Sequence, residues 1–254
     1  MKSAAACTLP ASATRTHNMA YFADLHIHSC LSPCGDDDMT PNNIAGMAKI
    51  KGLDVIAVCD HNTARNLPAV QRVCEAYGLL LLPGMEITTR EEVHLLGYFD
   101  SVQTALDFGE MLRGHLPKKK NNPRFFGRQL VMNEDDEIIA EEDALLISAT
   151  DLSLRAAAEE VLAFGGVPVP AHINRGSNGL LINLGLMPDT PFYTTIEAAR
   201  HLPCDESALR GRHVLHSSDA HYLGDIQERE HALQLGENSV KALLQWMRSR
   251  QEIL

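Results

Sequence analysis

The chain has 254 residues, 45% hydrophobic and 22% charged, with a formal charge of −11. This is a soluble globular composition, long enough for one large core and without the roughly 18-residue apolar run that a membrane span needs. The negative balance argues against a sequence-independent surface for duplex DNA, which calls for a broad basic field, yet leaves room for a locally basic pocket.

Residues 1–18 are small and polar with no long apolar region, which reads as a disordered lead rather than a signal peptide, and Met19 stands just before the first strand. That strand, Tyr21 to His28, ends in Asp24-Leu25-His26-Ile27-His28-Ser29. Alternate strand residues share a face, so His26 and His28 project side by side. A loop follows, and Thr40-Pro41 starts a helix that Gly52 stops. Leu53 to Val58 reads as a strand buried on both faces, ending in Cys59-Asp60-His61. A second helix runs from about Leu67 to Tyr77, stopped by Gly78. Leu79 to Leu82 begins a third strand leading to Glu86. Val93 to Tyr98 is a fourth, whose His94 lies near its beginning, so this piece is expected to pair in an unusual direction.

Val102 to Leu112 predicts a helix, after which residues 115–143 break the rhythm. There Lys118-Lys119-Lys120 lies in a turn-rich stretch, read as a solvated turn with a nucleotide clamp as the minority reading. Gln129–Met132 and Glu137–Ala140 flank Asn133-Glu134-Asp135-Asp136 in the pattern of a hairpin. The segment is too short for its own core and is expected to be an insertion or lid. Leu152 to Phe164 is a helix, and Val167 to Ala171, with two prolines, an edge or irregular strand leading to His172. A loop over 174–192 carries Arg175, Thr194 to Glu197 is a strand, and His213 to His216 reads as the last strand, leading into Asp219-Ala220-His221. Asn238 is expected to cap a final helix, Val240 to Arg250.

Alternation of strands and helices implies a parallel sheet with helical cover, and in closed β/α barrels functional residues gather at the C-terminal strand ends. Here those ends carry His, Asp and Glu while the strand bodies are apolar. Such groups are costly to bury unpaired, and shared divalent cations remove the cost. The donor set, rich in His, Asp and Glu and poor in Cys, suits Zn, Mn or Fe. The six cysteines, Cys7, Cys30, Cys34, Cys59, Cys74 and Cys204, form no C-x-x-C pair and fit reduced thiols in the cytoplasm, with Cys59 and Cys74 as core thiols.

In this order, His26-x-His28, Asp60-His61, Glu86, His94, His172 and Asp219-x-His221 resemble the PHP (polymerase and histidinol phosphatase) family of metal-dependent phosphoesterases. The resemblance implies an α/β fold, a distorted (β/α)7 TIM-like barrel filling residues 19–254 as one domain, with the 115–143 segment inserted. It also implies two to three divalent metal ions. By matching position, His26, His28, Glu86 and Asp219 hold one metal; Glu86 bridges to a second held by His94 and His172; His61 and His221 hold a third. The family's further ligand after the first strand falls on Cys34 or Asp36, and both stay open.

Asp60 is expected to orient an imidazole from behind, with Asp24 in a similar supporting role. A metal-bridging hydroxide would attack phosphorus, Asp219 or His221 would pass a proton to the leaving group, and Arg175 and His216 would bind substrate. His17, His115, His201 and His231 are read as surface residues.

The implied activity is a phosphoesterase acting on a small phosphorylated substrate, a nucleoside monophosphate or short oligonucleotide, with a histidinol-phosphate or sugar-phosphate phosphatase as the alternative. Other classes are a metallohydrolase of C–N bonds and a non-catalytic metal-binding module. The expected partners include neither duplex DNA nor a membrane, and the oligomeric state is left open.

Overall fold

The structure is a computed structural model and describes residues 19–251. The expected N-terminal lead over residues 1–18 lies outside the described residues. Strand β1 (Met19–Ile27) begins exposed and is buried from Ala23 onward, so its second half is covered on both faces. It pairs in parallel with β2 (Val55–Val58), and β2 in parallel with β3 (Leu80–Leu81). On its other edge it pairs antiparallel with β11 (Ala232–Leu235). Helix α1 (Pro41–Ile50) starts at the expected Thr40-Pro41, the Thr40 hydroxyl accepting from the Asn43 amide at 3.3 Å. Helix α2 (Leu67–Tyr77) ends at Gly78 in the left-handed region (φ 68°). Ile44 and Ala48 of α1 and Val70 and Val73 of α2 are buried in one core with Ile56 and Val58.

The expected third strand is two strands. After β3, Pro83 interrupts, and β4 (Gly84–Thr88) belongs to another sheet with β5 (His94–Tyr98) and β8 (Val167–Pro170). Gly84 is required at this crossing, since a Cβ there would lie 2.6 Å from the Cys59 sulfur. Strand β5 is antiparallel to both neighbours, the unusual direction that the position of His94 suggested. Strand β8 ends its sheet, where Pro168 and Pro170 cost no second ladder. Helices α3 (Val102–Arg113) and α5 (Leu154–Ala163) flank this region.

A parallel pair, β9 (Thr195–Glu197) and β10 (His213–Leu215), completes the strand set at the site. A few hydrogen bonds beyond the strand ends connect the sheets, among them His28 N–H to Ala220 O at 2.9 Å, Asn62 N–H to Glu86 O at 2.8 Å and Ile173 N–H to Glu197 O at 2.9 Å. The fold is therefore mixed α/β with parallel and antiparallel pairing, rather than the all-parallel sheet that alternation alone predicts.

The insertion holds α4 (Pro123–Phe126) and a hairpin of β6 (Leu130–Met132) and β7 (Ile138–Glu141). It packs on the loop after β1, Leu130 and Met132 against Cys30, and Val131 against Leu31 and Leu146. Short helices α6 (Leu180–Leu184) and α7 (Glu206–Leu209) interrupt the later loops. Two expectations fail near the C-terminus. The last strand is β11, not His213–His216, and α8 (Val240–Arg248) is capped by Ser239, whose hydroxyl accepts from the Ala242 amide, rather than by Asn238. No helix among the described residues is long and apolar enough to cross a membrane.

Candidate metal centre

The strand ends converge on Glu86. Its two carboxylate oxygens lie 2.8–3.4 Å from one nitrogen each of His26, His28, His61, His94 and His172. Asp219 completes the inner side, with Oδ1 3.4 Å from His26 Nε2 and 3.2 Å from His28 Nε2. Three groups have donor atoms close enough to share an ion: His26, His28, Glu86 and Asp219; His61, Glu86 and His94; and His28, Cys34, His61 and His221. All eight residues come from the expected set. Cys34, not Asp36, reaches the cluster, its sulfur 3.1 Å from His221 Nε2. The Asp36 carboxylate turns away and accepts from the Asp38 amide at 2.9 Å.

The ring orientations have visible causes. His26 Nδ1 donates to Glu197 Oε2 at 3.0 Å, leaving Nε2 toward Glu86. His28 Nδ1 is 2.9 Å from the Ser32 hydroxyl, which donates to Asp60 Oδ1 at 2.7 Å. Asp60 therefore orients an imidazole as expected, but through Ser32. His221 Nδ1 is held by the Asp219 carbonyl at 2.8 Å, which aims Nε2 at Cys34. Asp24 accepts from the amides of Ser218 and Gln227 and from the Ser218 hydroxyl, fixing the loop that presents Asp219.

Glu197 is the functional residue that sequence reasoning missed. It accepts from both His26 Nδ1 and the His172 backbone amide at 3.0 Å. The available signal was its place at the end of Thr194-Thr195-Ile196-Glu197, another strand ending in a carboxylate.

Backbone strain marks the same place. His172 and Asp219 are non-glycine residues at positive φ, 25° and 54°. Such conformations cost about 1–3 kcal/mol each and persist where surrounding bonds enforce them, here the bonds to Glu197 and Asp24.

The electrostatics are those of a cation-binding cluster. Burial opposes charge on Glu86, but His94, His26 and His61 hold its carboxyl well below the usual range. Burial likewise works against ionised Asp219, yet His26 and His28 keep it ionised. Burial lowers His28, but hydrogen bonds to Asp219 and Glu86 outweigh it and raise the imidazole to about 9. His26 is raised well above its ordinary value despite burial, by Glu197 and Glu86. Burial and neighbouring His28 push His221 down to about 4, and burial also lowers His61. Several buried atoms here, His61 Nδ1, His94 Nδ1, His172 Nε2, Glu86 Oε1 and Asp219 Oδ1, have no hydrogen-bond partner although they crowd together. Buried lone pairs that converge without bonding one another are costly. Divalent cations are the groups that satisfy them, so the residues present fit a metal cluster.

Two cavities open onto the cluster. One of about 190 Å³ is lined by Cys34, His61, His94, Arg175, Asp219 and His221. The other, about 360 Å³, is lined by His172, Arg175, Arg200, His201, Ser218 and Asp219. Arg175 stands between them with its guanidinium on the Asp219 carboxylate. His201 is exposed, as expected, but borders the larger cavity. His216 lines neither; its Nδ1 donates to the Ala198 carbonyl at 2.7 Å and its ring lies 5.9 Å from that of His231.

This fold brings together the donor set of a metal centre. The chain belongs to the PHP domain family, whose model matches residues 24–160. Among curated relatives, it is 36% identical over 85 residues to an uncharacterised protein of Methanocaldococcus jannaschii, covering 30% of this chain and 49% of that one. It is 32% identical over 77 residues to a 5′-3′ exoribonuclease of Haemophilus influenzae, covering 29% of this chain and 27% of the relative. The chain thus matches at most half the length of these relatives.

Among solved structures, the lesion-specific endonuclease Q of Pyrococcus furiosus superposes with a TM-score of 0.65 at 17% identity, over 92% of this chain and 57% of that one. A protein of Bifidobacterium adolescentis described as a metal-dependent phosphoesterase gives 0.61 at 19% identity, over 91% of this chain and 97% of that one.

The expectation that set duplex DNA aside in favour of a small phosphorylated partner does not stand. Endonuclease Q, in complex with a 27-mer duplex carrying an abasic lesion, shares this fold with a TM-score of 0.63 at 17% identity, over 92% of this chain and 58% of that one. The physical error was to read a whole-molecule charge of −11 as the field at one face, since local potential depends on where charges sit.

Proposed function

We propose that the chain is a metal-dependent phosphoesterase that cleaves ester bonds of nucleic acid, with two to three divalent ions of Zn, Mn or Fe in the Glu86 cluster. The carrying observation is the convergence of five imidazoles on one buried carboxylate. His26, His28, Glu86 and Asp219 would hold one ion, Glu86 with His94 and His172 a second, and His61, His221 and Cys34 a third. We read the chain from residue 19 onward as one unit, its sheets the staves of a distorted barrel with the 115–143 segment as cover. The hydrogen bonds between strand ends support that reading.

Bound ions supply Lewis acidity toward a phosphoryl group and make nearby water more acidic. The chain's own residues do the rest. Glu197 and the Asp60–Ser32 pair lock the tautomers of His26 and His28, so that each presents Nε2. Asp219 stays ionised and His221 is tied through Nδ1, so both hold the cluster rather than deliver a proton. Arg175, whose side chain is 46% exposed, can leave Asp219 and place its fork on phosphate oxygens. The larger cavity, with Arg200 and His201, takes the organic part of the substrate beside them.

The test pairs metal analysis of the purified chain with cleavage of end-labelled RNA and DNA, single-stranded and lesion-bearing duplex, after loading with each metal. Cleavage that disappears in His26→Ala, with the fold intact by circular dichroism, supports the proposal. Full loading without ester cleavage on any of these transfers the site to another bond, and absence of bound metal after reconstitution refutes it.

A further inference from the structure

The segment 117–128, Pro-Lys-Lys-Lys-Asn-Asn-Pro-Arg-Phe-Phe-Gly-Arg, holds five cations and no carboxylate in a chain of net charge −11. Lys118, Lys119, Lys120, Arg124 and Arg128 are all exposed. Lys120 and Arg128 are offset by Asp143 and Glu141. Lys118, Lys119 and Arg124 form no ion pair among the described residues. Between them Phe125 is 82% exposed, an unusual place to leave a large ring, while Lys119 lies over the neighbouring Phe126 ring at 5.8 Å.

The segment is an ordered platform. The Asn121 amide donates to Asp143 O at 2.8 Å and the Leu145 amide to Lys119 O at 2.9 Å. Asn122 caps the α4 turn and the Asn121 side chain donates to Gly127 O at 2.9 Å. The platform is connected to the walls of the metal centre at two places. Gly127 (φ 81°) presses so closely on the loop before Cys34 that a Cβ would lie 2.7 Å from Pro33 O. The segment 143–145 that pins the platform runs on to Ile147, in the wall of the 190 Å³ cavity.

We infer that this face of the insertion, Lys118, Lys119, Arg124 and Phe125, binds a single nucleic-acid strand and leads it to the metal centre. Spaced cations follow a phosphate backbone, and an exposed ring offers a stacking surface that any base can use. The inference names the substrate path of the proposed nuclease, but binding and chemistry can be read separately.

The experiment measures binding of a fluorescent 20-nucleotide single strand to the full chain in EDTA over a range of salt, and separately metal-loaded hydrolysis of bis(p-nitrophenyl) phosphate, too small to span the platform. The variants are Lys118→Gln/Lys119→Gln/Arg124→Gln and Phe125→Ala, all at exposed positions outside the core. The triple variant is expected to weaken binding at least about tenfold at low salt and to lower the log–log salt slope by about 2, at roughly 0.7 per lost phosphate contact. Phe125→Ala is expected to lose about tenfold with the slope unchanged. Small-ester turnover stays at the wild-type level in both.

Wild-type protein that does not bind the strand, or variants that bind it as tightly, overturn the inference even if the small ester is hydrolysed. Polyglutamate displacing the strand as well as an unlabelled oligonucleotide does also overturns it, in favour of a general anion site. Strand binding lost as expected, in a protein that hydrolyses no ester, upholds this surface while refuting the proposed chemistry.

Discussion

Replacing Glu197 with Gln tests the orientation of the centre from a residue that is not itself grouped with the ligands. The carboxylate is 2% exposed, and one oxygen accepts from both His26 Nδ1 and the His172 amide at 3.0 Å. Its other oxygen has no partner. The amide keeps the shape but removes the charge, and charge-assisted bonds are roughly twice as strong as neutral ones. It also places an NH2 where the partnerless oxygen stands, and an orphaned buried donor costs about 1–3 kcal/mol.

The metal-free protein should therefore lose about 2 kcal/mol, a fall in melting temperature of about 4–8 °C for a chain of this size. His26 becomes less basic and less firmly aimed, so metal affinity should fall about 10- to 100-fold, the usual effect of losing such a support. That is about 1.4–2.8 kcal/mol. Calorimetric Zn titration of stripped wild-type and variant protein reads the second quantity and thermal unfolding the first. A variant with the expected loss of stability but wild-type metal affinity would show that Glu197 only braces the loops, and the orientation argument would fail.

Metal uptake should consume protonated imidazoles. His28 is raised to about 9 and His26 is also raised, so below about pH 9 an incoming ion displaces protons, and affinity should climb about tenfold per pH unit for each proton between pH 6 and 8. Titration in buffers of different ionisation heat counts them, and a flat profile would contradict the cluster's electrostatics. Cys34→Ala should remove one ion per chain by mass spectrometry of the native protein, whereas Asp36→Ala should keep the full complement; the reverse pattern would reassign the ligand. Burial opposes charge on Glu142, but Arg113, the Ala144 amide and Arg65 hold it down to about 2. Its folded value is depressed, so its stabilisation is present above the ordinary carboxylate range and is lost as pH falls toward about 2. Glu142→Gln should cost about 1–3 kcal/mol at neutral pH, less than a fully buried pair because both arginines are part exposed, and should flatten the acid limb of the stability curve.

Most of the centre was legible because strand geometry is local: an x-His-x-His end states its own orientation, and Gly78 or Thr40-Pro41 states its own boundary. What was not legible depended on distant neighbours. Glu197 is an ordinary residue in its own strand and gains meaning only from His26, 171 positions away. The choice between Cys34 and Asp36 turned on which side chain faces His221. Strand β11 is four residues with polar Gln234 among them, a pattern too brief to declare itself without β1 alongside. That β4 leaves the first sheet after Leu81 shows only in the pairing with β5, and the need for glycine at position 84 only in the nearness of the Cys59 sulfur. Charge misled in the other direction, since a sum over the chain concealed a cationic face in one segment.

The bond between His28 and Ala220, with Asp24 gripping Ser218 and Gln227, has a consequence for how the centre comes into being. Its donors are gathered from nearly 200 positions of chain, from His26 to His221, and the last of them are seated by a carboxylate in the first strand. Ions bound there would act as a tether between distant parts of the polymer, and closing a loop so long removes more entropy from the unfolded chain than closing a short one. A partly folded molecule in which residues 218–227 have not yet docked has only fragments of the centre. Assembly of the centre thus coincides with completion of the fold, and ions would find their full donor set only on a chain that has reached its final shape.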